Sequence, residues 1–159
     1  MKIAATGTTI TIEFVGSEPE LLRLLAIQLD ELIEESEPED ADVLLALFPD
    51  AYREDAESAA EFGRLTRDEL NDTKRMRARE ISAALLDSDV VILDAAQADR
   101  WASALTDIRL VVGTRLGIET DDDQPGIGLL DDIYRWLGEF QWQLVDALAE
   151  LEPDPEATP

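Results

Sequence analysis

Apolar residues fall at helical spacing between Asp94 and Gly117, where Trp101, Leu105, Ile108, Val112 and Leu116 recur every three or four positions. Asp94 stands where a side chain caps a first turn, and Gly117 where a helix ends in a left-handed residue. Leu110 and Val111 widen the stripe, which predicts a central helix over about 95–116 with neighbours on more than one side. Other stretches supply those neighbours. Ile10, Ile12 and Phe14 alternate with Thr9, Thr11 and Glu13, so residues 2–15 read as a hairpin turning at Thr6-Gly7 or Gly7-Thr8. A hairpin alone is marginal, and the β-branched run Val90, Val91, Ile92 and Leu93 is the best third strand.

Five further helical segments follow from the same pattern. The first opens at Ser17, which forms a capping box with Glu20, and carries Leu21, Leu22, Leu25, Leu29, Leu32 and Ile33 inward. The acidic run 34–42, with Pro38, reads as a solvated linker. Val43 to Phe48 reads as a helical turn docking Leu44, Leu47 and Phe48, and Pro49 stops it. A short helix begun at Asp55 takes in Ser58 to Phe62. A capping box at Thr66 and Glu69 starts a helix to about Leu86, with Leu70, Thr73 or Met76, Ile81 and Leu85 inward. The last helix, about 127–151, carries Leu130, Ile133, Tyr134, Leu137, Gln141, Leu144, Val145 and Leu148 on one line. Trp136, Phe140 and Trp142 add bulk off that line, which points to self-association through them. The expected architecture is a mostly helical α+β fold, a small antiparallel sheet packed on a helical bundle. Residues 1–151 form one domain in this reading, and 152–159 an acidic, flexible tail.

Charge changes the functional picture more than the fold. The formal net charge is −24, from 37 acidic and 13 basic residues. Direct nucleic-acid binding and an anionic membrane surface are both disfavoured. Partner-seeking acidity and salt adaptation both fit that charge. There is no cysteine and no histidine, so thiol chemistry is excluded, and the commonest neutral-pH base and zinc ligand are missing. No apolar run suits a signal peptide or membrane span, which makes the cytoplasm the default location.

Candidate chemistry is thin. The run Glu119 to Asp123 lacks the ligand order of a calcium loop. Gly126-Ile127-Gly128 lacks the lysine and strand of a phosphate loop. Pairs such as Asp131 with Asp132, or Asp87 with Asp89, are expected by chance among so many acids. No residue is assigned a catalytic, cofactor-binding or metal-binding role. Six of the thirteen cations, Arg64, Arg67, Lys74, Arg75, Arg77 and Arg79, lie within sixteen positions. They make either a partner-docking patch or a helix surface paired with Asp68, Asp72 and Glu80. Asp107, Arg109 and Arg115 are expected to meet charges on neighbouring helices, and Gly113 to admit a close helix approach.

Three segments, Leu47 to Leu70, Trp101 to Ile118 and Tyr134 to Leu148, resemble the AosR-like actinobacterial proteins, which are related to an oxidative-stress regulator. The Phe-Pro-x-Ala-Tyr and Asp-x-Arg-Leu-Val-x-Gly-Thr-Arg-Leu-Gly stretches carry the resemblance, through Phe48, Pro49, Tyr52, Asp107, Arg109, Gly113, Thr114, Arg115 and Gly117. Phe62, Arg64, Thr66 and Trp101 also match the family pattern. It implies a non-enzymatic regulator of transcription that contacts a sigma factor or RNA polymerase subunit. The family's N-terminal thiol pair is replaced here by Ala5 and Ile10, and Thr106 stands where asparagine is expected. Any regulation must therefore proceed without a cysteine switch. A protein-interaction module, acting as a homodimer, is the function expected. An acidic DNA mimic and a two-carboxylate hydrolase are the alternatives.

Overall fold

The computed structural model describes residues 1–49, 60–120 and 122–156, with side chains in the helix at 60–84 described from residue 68 onward. The predicted short helix begun at Asp55 lies largely outside the described residues, as does Tyr52. Strands β1 (Lys2–Thr6) and β2 (Thr9–Glu13) form the hairpin, with Gly7 and Thr8 at the turn. Helix α1 (Glu18–Glu34) follows, then a 3₁₀ turn (Pro38–Asp40), α2 (Ala41–Leu47) and α3 (Ala60–Ala84). Strand β3 (Val90–Asp94) runs straight into α4 (Ala95–Arg115), and α5 (Leu129–Glu150) ends the chain's regular structure. The fold is α+β and mostly helical. The sheet order is β1-β2-β3, antiparallel throughout, with Ile3 opposite Ile12 and Ile12 opposite Val91.

The central helix is where the apolar spacing placed it. The Asp94 carboxylate accepts from the Gln97 N–H at 2.8 Å while the Gln97 side chain accepts from the Asp94 N–H, so both ends of a capping box are made. Gly117 at φ +77° closes the helix, with Ile118 N–H donating to Gly113 and Gly117 N–H to Thr114. These two bonds make a Schellman motif, whose left-handed position glycine fills without strain. Trp101, Leu105, Ile108 and Val112 are buried, and α4 packs against α1, α2, α3, α5 and the sheet. Burying such side chains stabilises by about 1.5–3 kcal/mol each. The inner sheet face supplies Ile10, Ile12, Val91 and Leu93 to the same core, and the Phe14 ring stacks on Phe140 of α5 at 5.8 Å.

The free edge of β3 has a specific chemistry. Phe14 N–H donates to Asp89 O across the ladder, which sets its phase. The main-chain groups of Val91 and Leu93 therefore point to β2, and those of Val90, Ile92 and Asp94 point away. The Ser88 hydroxyl donates to Val90 O at 2.7 Å and accepts from Val90 N–H at 3.2 Å, and Gln97 takes the Asp94 N–H. Ile92 is the residue of this edge whose main chain has no such side-chain partner among the described residues.

Several local expectations are corrected. The Ser17–Glu20 capping box is not formed, because Ser17 at φ −90°, ψ 4° is outside the extended region from which a cap hydroxyl reaches back. Glu18 serves instead, accepting from the Val15 N–H at 3.0 Å and meeting the N-terminal ammonium at 3.4 Å. The Thr66–Glu69 box starts no helix, since α3 is already running from Ala60 and includes Phe62 in its first turn. The 34–42 linker contains the 3₁₀ turn, closed by a reciprocal Glu37–Asp40 box. On α3 the inward line is Lys74, Ala78 and Ile81, continued by Leu85 just past the helix end, while Leu70 and Met76 are exposed.

Candidate functional site

A groove of about 590 Å³ lies between α4 and α5, walled by both helices and by residues 118–120 and 123–125 of the segment that joins them. Its construction is reciprocal. The Arg109 guanidinium of α4 lies 4.9 Å from the centre of the Tyr134 ring of α5. A Cβ on Gly113 of α4 would come within 3.0 Å of the Tyr134 ring, and one on Gly138 of α5 within 3.4 Å of the guanidinium. Each flat group thus rests on the bare backbone of the opposing helix, and the contact is a cation–π stack. Arg109 makes no ion pair among the described residues, and its buried Nε has no acceptor there. Farther along the same two helices Gln141 donates to Thr106 and to Ala102 O.

The loop side of the groove is held by polar bonds. Asp123 accepts from the N–H groups of Glu119 at 2.9 Å and Thr120 at 3.0 Å, and these bonds, the first more than the second, hold its carboxyl below the ordinary carboxylate value. Arg135 donates to Pro125 O and Gly126 O and pairs with Asp132, while Asp131 accepts from Gly126 N–H. The Gly126–Gly128 segment is therefore an entry to α5 tied down by side chains of its first turns.

Of the expected docking cations whose side chains are described, Lys74, Arg75 and Arg79 are engaged within the chain, while Arg77 makes no ion pair among the described residues. Lys74 Nζ sits 2.7 Å from the buried Asp107 carboxylate and over the Phe48 ring at 5.6 Å. Burial pushes the Asp107 carboxyl up, against the pull of Lys74 and, more weakly, Arg77. Arg75 and Arg79 both hold Asp30 of α1, and Arg75 also reaches Glu34. Lys74, Arg75 and Arg79 thus clamp α3 to α4 and α1 instead of forming an open patch. The side chains of Arg64 and Arg67 lie outside the described residues. Asp107 meets its expected charge on a neighbouring helix, Arg109 meets an aromatic ring, and Arg115 is exposed.

The aromatic set of α5 also divides. Phe140 is fully buried between Phe14 and Trp136, so it has no part in a surface contact of this fold. Trp136 is half-buried, and its Nε1 is enclosed without an acceptor among the described residues. Trp142 is 68% exposed and Val145, one turn on, 51%. Gly138 does not stand out in the sequence. Its spacing from Tyr134 and its place opposite Gly113 were the available signals.

The family model of a domain of unknown function (DUF2017) matches residues 1–148. The chain belongs to the DUF2017 family. The match spans all three strands and nearly all of α5, so the hairpin and the groove both belong to the DUF2017 domain. No match is found among curated proteins or solved structures. No helix of the DUF2017 chain among the described residues is long and apolar enough to cross a membrane.

Proposed function

We propose that this DUF2017 protein is a regulatory protein-interaction module that works by docking, not by catalysis, and that its partner presents a basic surface. The observation that carries the reading is Trp142 on the outer face of α5. With Val145 it forms an uncovered apolar anchor, and Glu139, Asp146 and Glu150 fall along its flank by helical spacing. Tryptophan is the side chain that most often dominates an interface, and an acidic rim steers a basic partner toward it. A homodimer through this face would set the same acids of two −24 chains against each other, so a heterologous basic partner is the better occupant. The resemblance to AosR-like regulators supplies the partner class, a sigma factor or RNA polymerase subunit in the cytoplasm. Because the chain has no cysteine, its signal reaches it by a route other than thiol oxidation.

The test is direct titration of the purified protein with purified RNA polymerase and sigma factors, at low and moderate salt. Saturable binding that weakens with salt, and that Trp142→Ala weakens by about 2 kcal/mol or more, is expected. Absence of binding, or full binding by Trp142→Ala, overturns the reading.

A further inference from the structure

Trp142 and Val145 do not line the α4–α5 groove, although Glu139 borders both, and the groove's charges do not cancel internally. Arg135 is held by two carbonyl oxygens and Asp132, and Asp123 by two N–H groups. What is left among the described lining residues is one cation, Arg109, and two carboxylates, Glu119 and Glu139, that no described cation pairs. Glu139 does accept from the Gln143 amide at 3.2 Å, a bond that leaves its charge in place. In a chain with a surplus of acids, an arginine fixed by stacking on Tyr134 instead of pairing with a carboxylate is a group kept available.

We infer that this groove is a binding site for a small zwitterion of amino-acid or dipeptide size, whose carboxylate meets Arg109 and whose ammonium meets Glu139 or Glu119. Three observations converge on that class. The guanidinium is pre-oriented: Tyr134 lies against one face, and the bare backbone of Gly138 lets it approach α5 closely, so little side-chain freedom is lost when a carboxylate binds. The unpaired carboxylates disfavour phosphate and other multiply charged anions, which would meet more repulsion than attraction. The volume, about 590 Å³, is within the ordinary range for small-molecule sites, and Thr106 and Thr114 add hydroxyls to its wall.

The experiment is a two-dimensional NMR titration of the full chain, following the amides of Gly113 and Gly138 and the Arg109 Nε–H. The probes are glycylglycine, N-acetylglycine, glycinamide and inorganic phosphate. Glycylglycine should shift these signals saturably, N-acetylglycine should bind more weakly, and glycinamide and phosphate should leave them in place. Arg109→Lys keeps the charge and the stem but loses the planar fork. It should weaken glycylglycine by about tenfold to a hundredfold, the worth of one charge-assisted hydrogen bond, while the remaining amide spectrum shows the fold intact. Phosphate binding more tightly than glycylglycine, N-acetylglycine matching glycylglycine, no saturable shift with any probe, or undiminished binding by a folded Arg109→Lys would each overturn the inference. Since Trp142 takes no part, Trp142→Ala should bind glycylglycine normally, which keeps failure here separate from failure of the partner reading.

Discussion

Arg109 of α4 and Tyr134 of α5 stack at 4.9 Å, and each lies against a glycine of the other's helix. The two glycines are nevertheless unequal. At Gly113 a Cβ would meet the rigid ring at 3.0 Å, whereas at Gly138 it would meet the movable end of Arg109 at 3.4 Å. Gly113→Ala should therefore destabilise by about 1–3 kcal/mol through overpacking. Gly138→Ala should be neutral or stabilise by up to about 1 kcal/mol through helix propensity. Urea unfolding of the two variants decides it, and equal effects would show that the stack yields as a unit.

The Lys74–Asp107 pair joins α3 to α4 at the edge of the core, with the carboxylate buried and the ammonium mostly so. Removing one partner leaves the other charge enclosed, so Asp107→Ala should cost about 3–5 kcal/mol. The double variant Lys74→Met, Asp107→Leu should recover most of that loss, because buried pairs are often replaceable by apolar side chains. A double variant as unstable as the single one would mean that the pair's hydrogen bonding, not the stranded charge, sets the cost. Denaturant midpoints of the three proteins make the comparison.

Two carboxyls should respond to pH in opposite directions. Burial raises Asp107 above its ordinary 3.8, so the folded state holds that proton more tightly than the unfolded chain does. As pH rises from about 4, the unfolded chain ionises first, and wild-type stability relative to Asp107→Asn should fall. Asp123 is lowered by the Glu119 and Thr120 N–H groups. Its contribution is present above about pH 4 and is lost as pH falls through the lowered folded value. The Glu119 and Thr120 amide shifts, followed down the acid range in wild type and Asp123→Asn, report the second effect. Stability curves of wild type and Asp107→Asn report the first.

Within α5, Phe140 and Trp142 should separate cleanly. Phe140→Ala removes a ring packed on Phe14 and Trp136 and should cost about 3–5 kcal/mol. Trp142→Ala removes an exposed ring and should change stability by no more than about 0.5 kcal/mol. Thermal unfolding of both variants measures the contrast. A large loss at Trp142 would place its ring in the fold's own packing.

Much of the architecture could be read from residue spacing, and the failures share one cause. Helix α4 was legible because its stripe is apolar throughout and Asp94 and Gly117 punctuate it. The β-branched run 90–93 was legible for the same reason. On α3 the inward line passes through Lys74, a residue that reads as surface until Asp107 of another helix is known to face it. Met76 and Leu70, apolar in sequence, took its place in the expected stripe although they point to solvent. Ser17 and Thr66 have cap-forming side chains, but caps depend on backbone angles that residue identity does not set. The groove was half visible. Gly113 suggested a close approach, yet the stack needs Tyr134 and Gly138 in register with it, and register belongs to packing between helices.

The Ser88 hydroxyl has a consequence for the protein at high concentration. A β-branched strand at a sheet margin is a template on which a second chain can add, and chain-on-chain addition is how soluble folds begin to aggregate. By occupying both main-chain groups of Val90, with Gln97 occupying the N–H of Asp94, Ser88 reduces that template to the single residue Ile92. One residue is too short to seed a strand, so a hydroxyl and an amide leave this margin little main chain to offer a second chain.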